Sequence, residues 1–143
     1  GQALIEILKK NPKKIKVIEI SPIFRNHLKN KFGKKIEVYE NDAKNLRGII
    51  NNSSIDKILL INVIYFLNPL ELYLNELKRI LNKDGTIFIA GKFEAVKTFD
   101  DNVFQNKKIT ELLKVLKKFF KVSYEFVDLG DLNSRYYAIY LKK

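Results

Sequence analysis

The chain is predicted to form an open, mostly parallel Rossmann-like α/β sheet with helices on both faces and an antiparallel hairpin at its carboxyl end. Three observations predict it. Short β-branched and aliphatic runs alternate with segments whose apolar residues recur at helical spacing. The run IDKILLINVIYFL holds a near-continuous apolar strand, as expected of a strand covered on both faces. The last two strand-like runs, KVSYEFVDL and SRYYAIYLK, are separated only by the turn at Gly130 to Asn133.

Each element has a local reason. ALIEILKK (Ala3 to Lys10) places Leu4, Ile5 and Leu8 on one helical face, and Asn11 with Pro12 ends it. KIKVIEI follows as a strand. In SPIFRNHLKNKF, Ser21 is the expected N-cap, Pro22 opens the helix, Phe24, Leu28 and Phe32 form the expected buried stripe, and Gly33 stops it. KIEVYE (Lys35 to Glu40) alternates as a strand, and DAKNLRGII (Asp42 to Ile50) reads as a short helix or turn.

After the apolar strand comes NPLELYLNELKRILNKDG. Here Asn68 is the expected cap, Pro69 the first helical residue and Glu71 the capping-box acid, with Leu70, Leu74, Leu77 and Leu81 facing the core. Asp84 and Gly85 turn the chain into the strand TIFIA. In ITELLKVLKKFF, Ile109, Leu112, Leu113, Leu116 and Phe120 make a further buried stripe, and the lysines on the opposite face are those of an ordinary surface helix. Tyr136, Tyr137 and Tyr140 read as sheet packing.

Composition narrows the functional classes. A chain of 143 residues with 46% hydrophobic content suits a single domain, here residues 1–143. No run reaches the roughly 20 apolar residues that cross a bilayer, and no signal-peptide pattern opens the chain, so a soluble, cytoplasmic protein is expected. With no cysteine and one histidine, thiol and zinc chemistry are excluded. The net charge of +11 favours polyanions if the basic residues share one surface, but only four of the 27 are arginine. The charge therefore reads first as a solvated lysine-rich surface, with nucleic acid as a partner not favoured.

Ligands of such sheets bind outside the carboxyl ends of the strands. Glu19 lies at one such end, in KVIEIS. A carboxylate at the end of the second strand of a nucleotide-binding sheet can accept hydrogen bonds from two adjacent ribose hydroxyls; the plainer alternative is a solvated strand terminus or a lysine partner. Asp42 follows the next strand in VYENDA, where it could equally cap a helix. Asn62 interrupts the apolar strand near its exit, where a buried amide would need partners.

These stretches together resemble the class I S-adenosylmethionine-dependent methyltransferases along almost the whole chain. VIEIS is similar to that family's acidic strand, ENDAKNL to its GDA motif, IDKILLINVIYFLNP to its fourth-strand motif, and LKRILNKDGTIFIA to its LKPGG stretch. The resemblance implies a methyltransferase with S-adenosylmethionine as cofactor. It also implies that Glu19 binds the ribose, Ile20 packs on the adenine, Asp42 meets the adenine amino group and Ala43 supplies a backbone amide. Asn62 and Tyr65 would lie near the methionine moiety or the acceptor.

The family's first strand and glycine-rich loop should precede the first helix, and Gly1 matches at most that loop's final glycine. The chain also lacks methionine. Either its amino end is missing or methionine was present in modified form, and the functional protein is expected to carry more residues before Gly1. His27, between Arg25 and Lys29 on one helix, is expected at the surface, and no catalytic base is assigned. The competing class is a non-catalytic basic α/β module that binds nucleic acid. The methyl acceptor and the oligomeric state are not legible.

Overall fold

The chain folds into two units, Gly1–Leu46 and Arg47–Lys143, in a computed structural model that describes residues 1–143 except for the Leu132 side chain. The first unit holds α1 (Gln2–Leu8), β1 (Lys16–Ile18), α2 (Pro22–Phe32) and β2 (Glu37–Tyr39). β1 and β2 pair in parallel, from Lys16 opposite Glu37 to Ile18 opposite Tyr39. Leu28, Phe32 and Ile36 form the core, against which Leu4, Ile5, Leu8, Ile15, Val17 and Val38 pack. The expected helix signals operate: the Ser21 side chain accepts a hydrogen bond from the Phe24 amide, and Gly33 leaves the helix at φ 56°.

Phe24 departs from its predicted stripe, being 61% exposed while Leu28 and Phe32 are 8% exposed. The reason is geometric. Positions four apart drift by about 40° around a helix of 3.6 residues per turn, so Phe24 stands about 80° from Phe32 and leaves the buried sector.

The second unit holds β3 (Ile55–Ile61), α3 (Leu70–Ile80), β4 (Leu81–Gly91), α4 (Phe93–Val96), α5 (Ile109–Lys117), β5 (Lys121–Asp128) and β6 (Arg135–Lys142). Its sheet has the order β3-β4-β6-β5, with β3 parallel to β4 and the other neighbours antiparallel. The predicted hairpin is the β5–β6 pair. Leu70, Leu74, Leu77 and Leu81 are all buried, as are Leu112, Leu113, Leu116 and Phe120. On one face of the sheet Ile87, Ile89, Ile139 and Leu141 are fully buried. No helix among the described residues is long and apolar enough to cross a membrane.

Several details differ from the sequence expectation. The apolar run 55–67 is strand only to Ile61, because Asn62 takes φ 56° and residues 64–66 wind into a 3₁₀ turn. The strand is not covered on both faces, since Leu59 and Ile61 are 42% and 40% exposed. Their face continues through Phe88 and Tyr140, whose rings meet at 5.2 Å. Apolar composition alone does not reveal that alternate residues look out from the sheet.

Asn68 does not cap α3. Pro69 occupies the cap position at ψ 132°, so helical geometry begins at Leu70, no side chain caps the helix, and Glu71 serves only as a first-turn acid. Strand geometry resumes directly at Leu81, and the turn expected at Asp84 and Gly85 is a register shift inside β4. Residues 42–50 form turns, one of the two alternatives expected there, and no helix. β1 and β2 form their own two-stranded sheet.

A polar rung ties the first unit's strands. Glu37 accepts hydrogen bonds from the Tyr39 hydroxyl at 2.7 Å and the Lys16 ammonium at 2.9 Å. The Tyr39 bond first, and then the Lys16 bond, draw the Glu37 carboxyl from 4.5 down to about 2. A depressed carboxylate stabilises the fold above its unfolded value and loses that contribution as pH falls through its folded value. Unfolding by urea followed between pH 5 and pH 2 should therefore show stability declining across that window, and Glu37→Gln should flatten the decline. An unchanged slope in the variant would exclude this source.

Candidate functional site

The parallel register of the first unit sets the exits of β1 and β2 side by side, and the Glu19 amide extends the pairing by donating to the Tyr39 carbonyl at 2.9 Å. Glu19 is half-buried. Its Oε1 accepts the Ser21 backbone amide at 3.0 Å, which turns the carboxylate back over the strand end. Its Oε2 accepts no hydrogen bond among the described residues. A carboxylate with one oxygen anchored and one unpaired is preset to take a donor from outside the protein. Ile20 follows it, 65% exposed, an apolar surface directly beside the free oxygen's residue.

Arg25 fixes this turn. One guanidinium nitrogen donates to the carbonyls of Glu19 at 3.0 Å and Ile20 at 2.7 Å, while another lies 3.5 Å from the Glu40 carboxylate after β2. One side chain thus ties both strand exits. The sequence signal for this role was its place one turn after the Ser21 cap, where a long side chain can reach back past the helix start.

On the β2 side, Asp42 Oδ1 accepts the Lys44 amide at 3.2 Å, and its carbonyl accepts the Asn45 amide at 3.0 Å. Asp42 therefore stabilises a turn, and no helix follows it. Asp42 and Ala43 are half-buried. Gly1 is the exposed N-cap residue of α1. His27 is exposed on α2, as expected.

In the second unit, Asn62 is exposed and not a buried amide, and its backbone amide donates to Ala90 at 2.8 Å, closing the end of the β3–β4 ladder. Tyr65 is 2% exposed, its ring against those of Phe66, Phe93 and Phe104. Its hydroxyl lies near the Lys92 amide without completing a hydrogen bond. Burial pushes the phenol up to about 12, so it stays protonated across the physiological range.

Sequence reasoning missed Asn106. From φ 55° it donates through Nδ2 to the carbonyls of Ile64 at 2.8 Å and Leu67 at 3.0 Å, and the Gln105 amide donates to Tyr65 at 2.8 Å. These bonds strap the loop after β3 to the loop after β4. An asparagine between a glutamine and a lysine in a long loop carries no period that would have exposed it.

The acceptor and the apolar surface at the first unit's strand exits suit a nucleoside: an unpaired carboxylate oxygen for ribose hydroxyls, and Ile20 for a planar base. Comparisons with known proteins bear on that fit. Residues 1–89 match the sequence model of a family described as a methyltransferase domain. No curated protein sequence matches the chain.

Among solved structures, the PH0226 protein from Pyrococcus horikoshii OT3 is similar at TM-score 0.71 and 18% identity, over 98% of this chain and 76% of that one. A SAM-dependent methyltransferase from Aquifex aeolicus is similar at 0.68 and 19%, over 90% and 68%. A 1,6-didemethyltoxoflavin-N1-methyltransferase from Burkholderia thailandensis, solved with 1,6-didemethyltoxoflavin and S-adenosylhomocysteine, is similar at 0.71 and 15%, over 100% and 66%. At these identities the structural likeness concerns the fold.

Two stability outcomes follow from the geometry. Arg25→Gln, which breaks the bonds to Glu19 and Ile20, should lower stability by about 1 to 3 kcal/mol in urea denaturation; a change near zero would show the strand exits hold without it. A methyl group on Gly91 would stand 2.8 Å from the Tyr65 hydroxyl and 2.5 Å from the Phe93 ring. Gly91→Ala should therefore cost about 1 to 3 kcal/mol, and less in a Tyr65→Phe background; equal costs in both backgrounds would place the clash elsewhere.

Proposed function

The chain belongs to the methyltransferase-domain family, and from that premise we propose that it transfers a methyl group from S-adenosylmethionine to an acceptor, holding the adenosine at the exits of β1 and β2. The observation that carries this reading is the unpaired Oε2 of Glu19 beside the exposed Ile20. Glu19 accepts the ribose hydroxyls, Ile20 covers one face of the adenine, and the Asp42–Ala43 turn meets the adenine edge through a carboxylate and a backbone amide. Gly1 is a further cofactor contact in this reading.

The cofactor supplies an electrophilic sulfonium methyl, so the protein's part is to align the partners and keep water away. A general base is required only where the acceptor must lose a proton. No residue is assigned that role. His27 is exposed on the helix, and the Tyr65 hydroxyl is buried with its proton held. Arg25 acts as a positioning residue, because it holds the turn from which Glu19 projects.

The charge favours the same division of labour. The first unit carries eleven lysines and arginines against five acids, which gives weak attraction for anions without any bidentate site beyond Arg25. Arg25 is itself already engaged.

Titration calorimetry with S-adenosylhomocysteine tests the assignment. Glu19→Ala should weaken binding about 10- to 150-fold, the worth of about 1.5 to 3 kcal/mol for hydrogen bonds to a charged group. Unchanged affinity in the variant would contradict the ribose role.

A further inference from the structure

The loops after β3 and β4 carry a continuous aromatic surface. Phe66 and Phe104 meet at 5.1 Å between ring centroids, Phe99 and Phe104 at 5.0 Å, and Tyr65 stands behind them at 6.1 Å from Phe66 and 6.0 Å from Phe104. Behind Tyr65, Phe93 closes the stack at 5.4 Å. Tyr65 and Phe93 are buried and Phe104 is half-buried, yet Phe66 and Phe99 are 50% and 47% exposed. Val103, in the same turn, is 53% exposed. Large rings left half open to water at one place forgo a sizeable burial energy.

Nothing about this surface is loose. Asn106 and Gln105 strap its two loops together. The Lys107 ammonium reaches back to the Phe99 carbonyl and pairs with Asp101 at 2.6 Å, lowering that carboxyl below its usual range. The rings are therefore held in place before any ligand arrives, which removes much of the ordering cost of binding.

Charge decides the kind of ligand. Residues 92–108 hold four lysines against three acids, nearly neutral in a chain of net charge +11. Lys107 is spent on Asp101, and Lys97 faces Glu94 at 3.5 Å. A polyanion site would concentrate unpaired cations here. Tilted and edge-to-face rings left half open to water instead suit contact with a planar aromatic molecule.

We infer that Phe66, Phe99 and Phe104 form the binding wall for an uncharged, planar aromatic small molecule, which is the methyl acceptor. The acceptor role rests on the methyl-transfer reading; the binding wall does not. The wall begins four residues beyond Asn62 and flanks the carboxyl ends of β3 and β4, the end of an open α/β sheet where ligands gather.

The probe is 2-naphthol, followed by its own fluorescence, which the tryptophan-free chain leaves unobscured. The expected result is saturable binding that Phe66→Ala and Phe99→Ala each weaken about five- to tenfold, with Phe66→Leu intermediate. Phe24→Ala, which removes a still more exposed ring far from the loops in sequence, should leave binding as it is. Absence of saturable binding overturns the inference, as does equal affinity in all variants. Displacement of the probe by a single-stranded oligonucleotide, with the same sensitivity to Phe66 and Phe99, overturns it in favour of nucleic acid. If naphthol binds through the wall while S-adenosylhomocysteine does not bind at all, the wall stands and the methyl-transfer reading falls.

Discussion

Two short strands would not make a site without the arginine that joins their ends. β1 and β2 share only three register pairs, and beyond Ile18 and Tyr39 the backbone must satisfy its carbonyls by other means. Arg25 does this from α2, reaching the Glu19 and Ile20 carbonyls with one nitrogen and Glu40 with another. A guanidinium is suited to the task, because its fixed fork serves several acceptors at once and it cannot lose its charge. With the turn so held, the Ser21 amide can anchor one Glu19 oxygen and leave the other open. The proposed ribose contact is thus a consequence of helix capping and strand termination meeting at one place.

The second unit solves a similar problem with a neutral group. Asn106 bonds two carbonyls of the 64–67 turn, as Arg25 does at the β1 exit, but brings no charge to the aromatic loops. That difference matches the chemistry proposed for each. Ribose hydroxyls call for a charged acceptor, whereas a planar apolar molecule is better served by rings backed with satisfied polar groups. The cost falls on Tyr65, whose hydroxyl is buried without a completed hydrogen bond against Gly91, where no larger residue fits.

The order and type of the elements were legible because their signals are local. Ser21 with Pro22, Gly33, the leucines of α3 and the hairpin turn all act within a few residues, and all appear where expected. Misreadings arose where the outcome depended on partners distant in sequence. Leu59 and Ile61 read as buried because the run is apolar, yet their face of the sheet lies open. Phe24 read as core because the four-residue spacing was extended too far round the helix. Asn68 lost the cap to Pro69 because a proline in extended geometry delays the helix by one residue.

The candidate site was legible in part. Glu19 and Asp42 were singled out from their places at strand ends, and the structure puts those ends side by side. Arg25 and Asn106 were not, since hydrogen bonds from long or lone polar side chains to backbone carbonyls leave no periodic trace. The aromatic wall was hidden for another reason: its rings come from segments some forty residues apart, and only the straps between the loops unite them.

The central claim is that the paired exits of β1 and β2 hold an adenosine. Backbone amide NMR during titration with S-adenosylhomocysteine reads it most directly, because it reports at each residue independently of any acceptor. The account predicts saturable shifts at Glu19, Ile20 and Ser21 together with Asp42 through Asn45. Shifts confined to the lysine-bearing face of α2, or an unperturbed pair of strand exits at saturation, would contradict it.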